Sequence, residues 1–510
     1  IQQKTGGNLA EALSNLFGSS SIVFWHDPDG EFAATVDGLR PEGVGLLDLD
    51  ATPWLKAKID LERAGRGSKF LIYSAKPEPE PTDDWLLDVR LRSKSFKADS
   101  ASILLEDMGL ASQQLRAHLK ARAKFLRAKD RAERLKRLVL PNDNADDLDR
   151  KMLSVLVKAD QPDLPAILLR ILSALITDGN VNLDASPKAW TDIAANDLEG
   201  AFWSLVERET GYQDAAPTLR DLLFRLLASD LARTLNAPCP AQLSHFVLGN
   251  KTLAANISVF LGNWRSHVGH FGSYDALSGT VGRELGLTAI LAGFSAEALA
   301  ECMTFEEVER RIIQDLKGRI IAGAGADMDT LRTLVARRRD GHWANQMMVQ
   351  ASASSRALAA CYDALEAAAA FSELKARFQA GFSFVDAGAA LNSYQQEIFR
   401  FDQLYRQFNH AADAVEPMGW ALLHELRERM ESAYSGWFIP QLGLAWNKVL
   451  EGSTGLLARW QVDGWINQQD FYARHVQSHL DAGVKRVFVI ISDAFRFEAA
   501  DLLVQGVEEL

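Results

Sequence analysis

The residues best placed to do chemistry lie near the end of this 510-residue chain, in VKRVFVIISDAFRFEAADLLVQGVEEL, residues 484–510. Residues 487–491 are an unbroken apolar run rich in β-branched side chains. Such a run reads as a strand buried on both faces, as in a parallel sheet. Asp493 follows at the carboxyl end of that strand, where open α/β sheets place their ligands. Phe497, Ala500, Leu503, Val504 and Val507 then recur at helical spacing. The unit is therefore strand, acid, helix. A carboxylate at such a turn suits a hard divalent cation, which favours oxygen ligands. It equally suits an N-cap, because Asp between a strand and a helix satisfies orphan amides.

The word VFVIISDAFRFEAADLL resembles the opening strand of the alkaline-phosphatase-like domain of the PglZ family, found in BREX phage-defence cassettes. WHDPDGEF, LDLD, KFLIYSAKPEPEP and DDWLLDVRLRSKSFKADSASILLEDMGL resemble the amino-terminal domain of its type A members, so the two matches bracket the chain. The resemblance implies that Asp493 is a metal ligand. Arg496 and Glu498 match the same motif without an assigned role. It implies that the full-length form is a metal-dependent phosphohydrolase or phosphodiesterase. There a pair of divalent ions, zinc by resemblance, activates a Ser or Thr nucleophile. That nucleophile is expected beyond Leu510, so no catalytic residue is assigned within the chain and no metal is expected to be bound by it alone. The implied partners are other BREX proteins, a DNA methyltransferase subunit and a small cassette subunit. On this reading the chain is the amino-terminal assembly part of such a protein, inactive by itself. Two alternatives stay open: a DNA-binding module acting through residues 116–137, or an active metallo-phosphodiesterase completed by another chain.

Composition constrains the rest. Hydrophobic residues make up 47% and charged residues 24%, as in soluble globular proteins. No apolar run approaches the roughly 18–20 residues of a membrane span, and residues 1–20 lack the pattern of a signal peptide. Cys239, Cys302 and Cys361 form no CxxC pair and no zinc spacing, which fits free thiols in a reducing cytoplasm. A net charge of −12 argues against a whole-surface affinity for nucleic acid and leaves room for a local basic patch.

The elements that would position these groups divide as follows. Residues 20–27 (SSIVFWHD), 43–50 (GVGLLDLD) and 69–75 (KFLIYSA) read as three strands with helical connections between them. This predicts a small parallel α/β domain over residues 1–111. Asp27, Asp29, Asp48 and Asp50 fall near adjacent strand ends, which suits either an acidic metal pocket or turns and caps. No Gly-rich phosphate loop follows any strand. Residues 112–140 read as one long connecting helix with a dense basic run that includes Arg116, Lys120, Lys124, Arg127, Arg131 and Arg134. Such a run either neutralises phosphates or attracts an acidic partner, or forms a solvated face. A connecting segment at 112–145 is followed by a helical domain at 146–482 and the beginning of the phosphatase-like domain at 483–510. The fold class expected is α/β plus mostly α. Within the helical region, Ala-rich residues 359–370 predict close helix packing. His267 with His270, and His475 with His479, have spacings that suit two ligands of a metal, with no third in sight.

Overall fold

Apolar alternation in three short runs produces the sheet that the sequence predicts. The computed structural model describes residues 2–28, 30–63, 67–96, 104–105, 107–323, 328–344, 352–452, 456–493 and 495–508. The chain is mostly helical, with one small parallel sheet, and divides into two compact units, Ile1–Leu222 and Leu223–Leu510.

In the first unit, helix α1 (Gln2–Phe17) precedes β1 (Ile22–His26), β2 (Val44–Asp48), helix α2 (Trp54–Arg63), β3 (Lys69–Ser74) and β4 (Lys94–Phe96). The strands lie in the order β2-β3-β1-β4, and every pairing is parallel. Period-two geometry sends Val23, Trp25, Leu71 and Tyr73 to one face, where Leu9, Leu13 and Phe17 of α1 cover them. Phe24 and Ile72 go to the other face, under Ala57 of α2 and Leu86. Gly45 lets β2 pass close to Phe70, where an added Cβ would sit 3.0 Å from the ring and press it aside.

β4 is a strand that sequence reasoning did not identify, and the predicted long basic helix is broken. Residues 112–140 form helices Arg116–Ala121, Ala123–Leu126 and α3 (Lys129–Leu138), with Ala128 in an extended conformation. The break has a chemical cause. The Arg131 guanidinium donates to the carbonyls of Phe125 (3.2 Å) and Lys124 (3.0 Å), and lies over the Phe125 ring. Orphan carbonyls at the end of the preceding turn are thereby satisfied without continuing the helix. Phe125, Leu126 and Leu135 are all buried as a result. Helix α4 (Ala145–Val157) then opens on a capping box between Asn144 and Asp147. It is followed by α5 (Leu164–Ser173) and α6 (Glu199–Thr210).

The second unit is built from helices. Those used below are α7 (Leu219–Thr234), α8 (Lys251–Ser266), α9 (Phe271–Leu285), α10 (Glu306–Ala322), α11 (Met328–Arg339), α12 (Ala353–Arg377), α13 (Phe399–Val415), α14 (His424–Ala433), α15 (Ile439–Gly452) and α16 (Phe497–Glu508). The Ala-rich stretch behaves as predicted: Ala360, Ala364, Ala367 and Ala368 of α12 are buried, and Phe371 meets Phe401 of α13 edge-on at 5.2 Å. Among the described residues three π-helical turns interrupt the helices, at Tyr394–Ile398, Tyr434–Phe438 and Tyr472–Val476.

A polar core sits inside this unit. Arg338 of α11 and Glu309 of α10 form an ion pair with both side chains wholly buried. Tyr362 of α12 donates to the same carboxylate at 2.5 Å. Arg338 also donates to the carbonyls of Ala300 (3.0 Å) and Cys302 (2.9 Å). Trp343 donates to Met303 O, and Tyr274 to Thr304 O. The Thr304 hydroxyl donates to Asp230, which also receives Arg265. One loop, residues 300–304, is thus held by side chains from several helices.

The strand expected at residues 487–491 is not formed. Phe488, Ile490 and Ile491 are 86%, 95% and 90% exposed, and the segment pairs with no strand among the described residues. A single β–α unit has no neighbour to complete its ladder or cover its faces. Its helix does form, as α16.

Removing one partner of the buried pair leaves the other charge uncompensated. Arg338→Ala is expected to cost about 3–5 kcal/mol, read as a lower urea midpoint for the full chain. An unchanged midpoint would mean that water reaches Glu309.

Candidate functional site

The motif segment brings its three marked residues to different environments. Asp493 lies exposed in the turn before α16, and Arg496 is also exposed. Glu498, on the first turn of α16, is 1% exposed and faces α13. Its nearest cation is Arg406 of α13, with Nε 3.6 Å away. Phe497 beside it packs edge-on against Phe399 (5.2 Å) and Tyr394 (6.2 Å). Next to this contact, the hydroxyls of Tyr394 (2.7 Å) and Tyr434 (2.5 Å) donate to the two oxygens of Asp402. Tyr434 stacks on Tyr405 at 3.8 Å. Burial, with the Asp402 charge after it, pushes both Tyr394 and Tyr434 phenols upward, so they stay protonated donors. Among the described residues no group of three His, Cys, Asp or Glu is close enough to hold an ion.

The acids at the strand ends are bound into turns. Asp27 is 2% exposed and accepts the Tyr73 hydroxyl at 2.6 Å and the Phe32 amide at 2.7 Å. Burial opposes ionisation of Asp50. The Ala75 amide at 2.5 Å and the Lys76 ammonium at 3.2 Å outweigh it and hold the carboxyl below its usual range. Asp48 accepts the Asp50 amide at 2.9 Å. Asp29 lies outside the described residues. The same sheet edge fixes a histidine: His26 Nδ1 lies 3.1 Å from Lys76 O and Nε2 lies 2.9 Å from Arg90 Nη1. Arg90 can only donate, so Nε2 accepts and the ring is neutral. Burial, and behind it the Arg90 charge, lowers its pKa in agreement.

The basic candidates are largely engaged at home. Lys124 pairs with Asp197 at 2.6 Å, Arg134 with Asp130 at 3.1 Å, and Lys120 approaches Glu31 at 3.9 Å. Arg131 holds the helix break described above. Arg116 and Arg127 are exposed. The break also means that the six do not share one helical face.

Of the histidine pairs, His267 and His270 bring their rings within 4.8 Å, whereas His475 lies against Phe471. Cys302 and Cys361 are buried, and burial pushes their thiols up to about 11 and about 12. They are inert side chains rather than nucleophiles.

Sequence reasoning missed a cleft of about 410 Å³ between α9, α10 and the start of α12, with several charged side chains in its lining. His342 pairs there with Asp275 at 2.6 Å, across 67 residues of sequence, so no local spacing could have revealed it. Arg310 pairs with Glu306. Glu307 lies flat on Gly282, where a Cβ would stand 2.8 Å from its Oε1. Burial raises its pKa. Sequence reasoning also missed the Tyr394, Asp402, Arg406 and Tyr434 cluster, which the π-helical turns assemble.

A turn role and a metal role for Asp27 predict different behaviour. Asp27→Ala is expected to lower stability by about 1–3 kcal/mol, because the buried Tyr73 hydroxyl and Phe32 amide lose their acceptor. Excess Mg²⁺ or Zn²⁺ is expected to leave the wild-type melting point unmoved. A metal-induced rise that Asp27→Ala abolishes would establish a metal site.

The family described as the BREX system PglZ alkaline phosphatase-like domain matches residues 471–509. The chain is 30% identical over 493 residues to the alkaline phosphatase-like protein BrxZ of Escherichia coli O9:H4 (strain HS), covering 96% of this chain and 56% of that protein. It is 27% identical over 480 residues to the alkaline phosphatase-like protein PglZ of Bacillus cereus (strain H3081.97), covering 94% of this chain and 53% of that protein. The chain spans about half the length of these relatives. No solved structure matches it. The resemblance read from the motifs is therefore confirmed: over nearly its whole length, this chain is related to the PglZ-type alkaline phosphatase-like proteins of BREX systems.

Proposed function

We propose that these residues are the assembly part of a PglZ-type BREX protein, and that they do not turn over substrate on their own. One observation carries the reading. The groups able to do chemistry are committed to holding the fold, whereas the acid of the phosphatase-like motif stands exposed beside an exposed apolar segment. Asp27, Asp50, Asp230, Glu309 and Arg338 each serve two or more structural contacts. Asp493 is exposed, as are Phe488, Ile490 and Ile491 before it. A strand-forming sequence in that state is suited to pairing with further strands. In a complete phosphatase-like domain, Asp493 would contribute one carboxylate to a divalent ion, zinc by family resemblance, and that ion would polarise a phosphoryl group.

The partners on this reading are other BREX proteins, including the DNA methyltransferase subunit and the small cassette subunit that the resemblance implies. The surfaces offered to them are the parallel α/β unit and the helical unit. Exposed apolar side chains on the first, Trp85 at 73% and Leu91 at 78%, are the kind that protein interfaces cover.

Two measurements test the proposal. The chain is expected to co-purify with the cassette's other proteins, and to do so equally well without residues 484–510. Failure to retain any of them would sink the assembly reading. With Zn²⁺, Mg²⁺ or Mn²⁺, no hydrolysis of a generic phosphodiester is expected above the level of Asp493→Ala. Metal-dependent turnover lost in that variant would mean that the site is completed within the chain or by a second copy.

A further inference from the structure

Asp493 and Arg496 of the motif segment both stand exposed. Glu498 points the other way. Its carboxylate is buried against α13, and neither oxygen has a hydrogen-bond partner among the described residues. Burying a carboxylate without hydrogen bonds costs several kcal/mol by order of magnitude. A leucine at this position of an amphipathic helix would hold α16 more strongly. The acid therefore keeps α16 seated only where a cation meets it.

The surroundings define what it selects. Asp402 already accepts two phenols, one from each of the π-helical turns that begin at Tyr394 and Tyr434. A π turn shifts the register of the helix that follows it. These two shifts bring tyrosines from separate helices onto one carboxylate, with Tyr405 stacked behind. Asp402 is thus satisfied by neutral donors, and Arg406, one helical turn on, is left to face Glu498. Phe497 fixes the neighbouring contact against Tyr394 and Phe399.

We infer that Glu498 is a positioning residue: through Arg406 it seats α16 on α13, so that the helical unit sets where the acid-bearing turn at Asp493 stands. The inference goes beyond the assembly reading and does not depend on any partner. It gives the motif glutamate a role directed at the protein's own scaffold rather than at substrate. It also means that a change in α13 reaches the acid-bearing turn through this ion pair and the Phe497 contact beside it.

The test is hydrogen exchange of the α16 backbone amides in the full chain, read relative to α12 as an internal reference. Arg406 is 44% exposed, so Arg406→Glu is compatible with folding. Arg406→Glu and Glu498→Arg are each expected to speed α16 exchange about tenfold or more, while α12 stays unchanged. The reversed pair, carrying both substitutions, is expected to return α16 to within about threefold of wild type. Glu498→Gln, which keeps the size and removes the charge, is expected to behave like the single reversals and covers the case in which arginine is not accommodated. Unchanged α16 exchange in Arg406→Glu and Glu498→Gln would overturn the inference. So would a reversed pair that exchanges as fast as the singles, because the ion pair would then not be the link. Partner co-purification is a separate readout, so failure here and failure of the assembly reading are told apart.

Discussion

The helical unit is arranged about a charge that water does not reach, the Arg338 guanidinium. A buried arginine does not lose its proton, and the paired Glu309 raises its pKa further against the opposing effect of burial. The fold must therefore supply acceptors at every edge of the group. It does so with the Glu309 carboxylate and the carbonyls of Ala300 and Cys302. Those carbonyls belong to a loop, and fixing them fixes Met303 and Thr304, which in turn hold Trp343, Tyr274 and, through Asp230, Arg265. Directional contacts of this sort specify one arrangement of helices.

That division of labour bears on function. In the first unit, acids at a parallel sheet edge look from sequence like ligands. In the structure they hold turns, and a neutral histidine beside them is held by Lys76 and Arg90. In the second, the largest buried charges hold a loop. In the segment from 484 onward the acid is exposed and the buried glutamate faces the scaffold.

How much of this was legible depends on whether the signal was local. The three main strands were readable because Ile22–His26, Val44–Asp48 and Lys69–Ser74 are short apolar runs bounded by turn residues. β4 was not, because Lys94–Phe96 is brief, half polar, and made a strand only by its pairing with β1. The helix at 497–508 was carried by its periodicity, and the strand before it was not formed because strands need partners that periodicity does not provide. The resemblance was carried by two short motifs, and similarity to the curated relatives extends over 94–96% of the chain. The seat for Glu498 was hidden, since Tyr394, Asp402, Arg406 and Tyr434 are joined by π turns that a 3.6-residue reading passes over.

The guanidinium of Arg131 has a consequence for how the basic segment is studied. It is both a charge in the run and the closure of the Ala123–Leu126 turn. Neutralising the segment wholesale would therefore remove a structural clasp along with the positive potential. Loss of polyanion affinity in such a variant would then report local unfolding as readily as lost electrostatics. Arg127, exposed and free of that duty, separates the two effects, because its removal changes the field and leaves the backbone where it is.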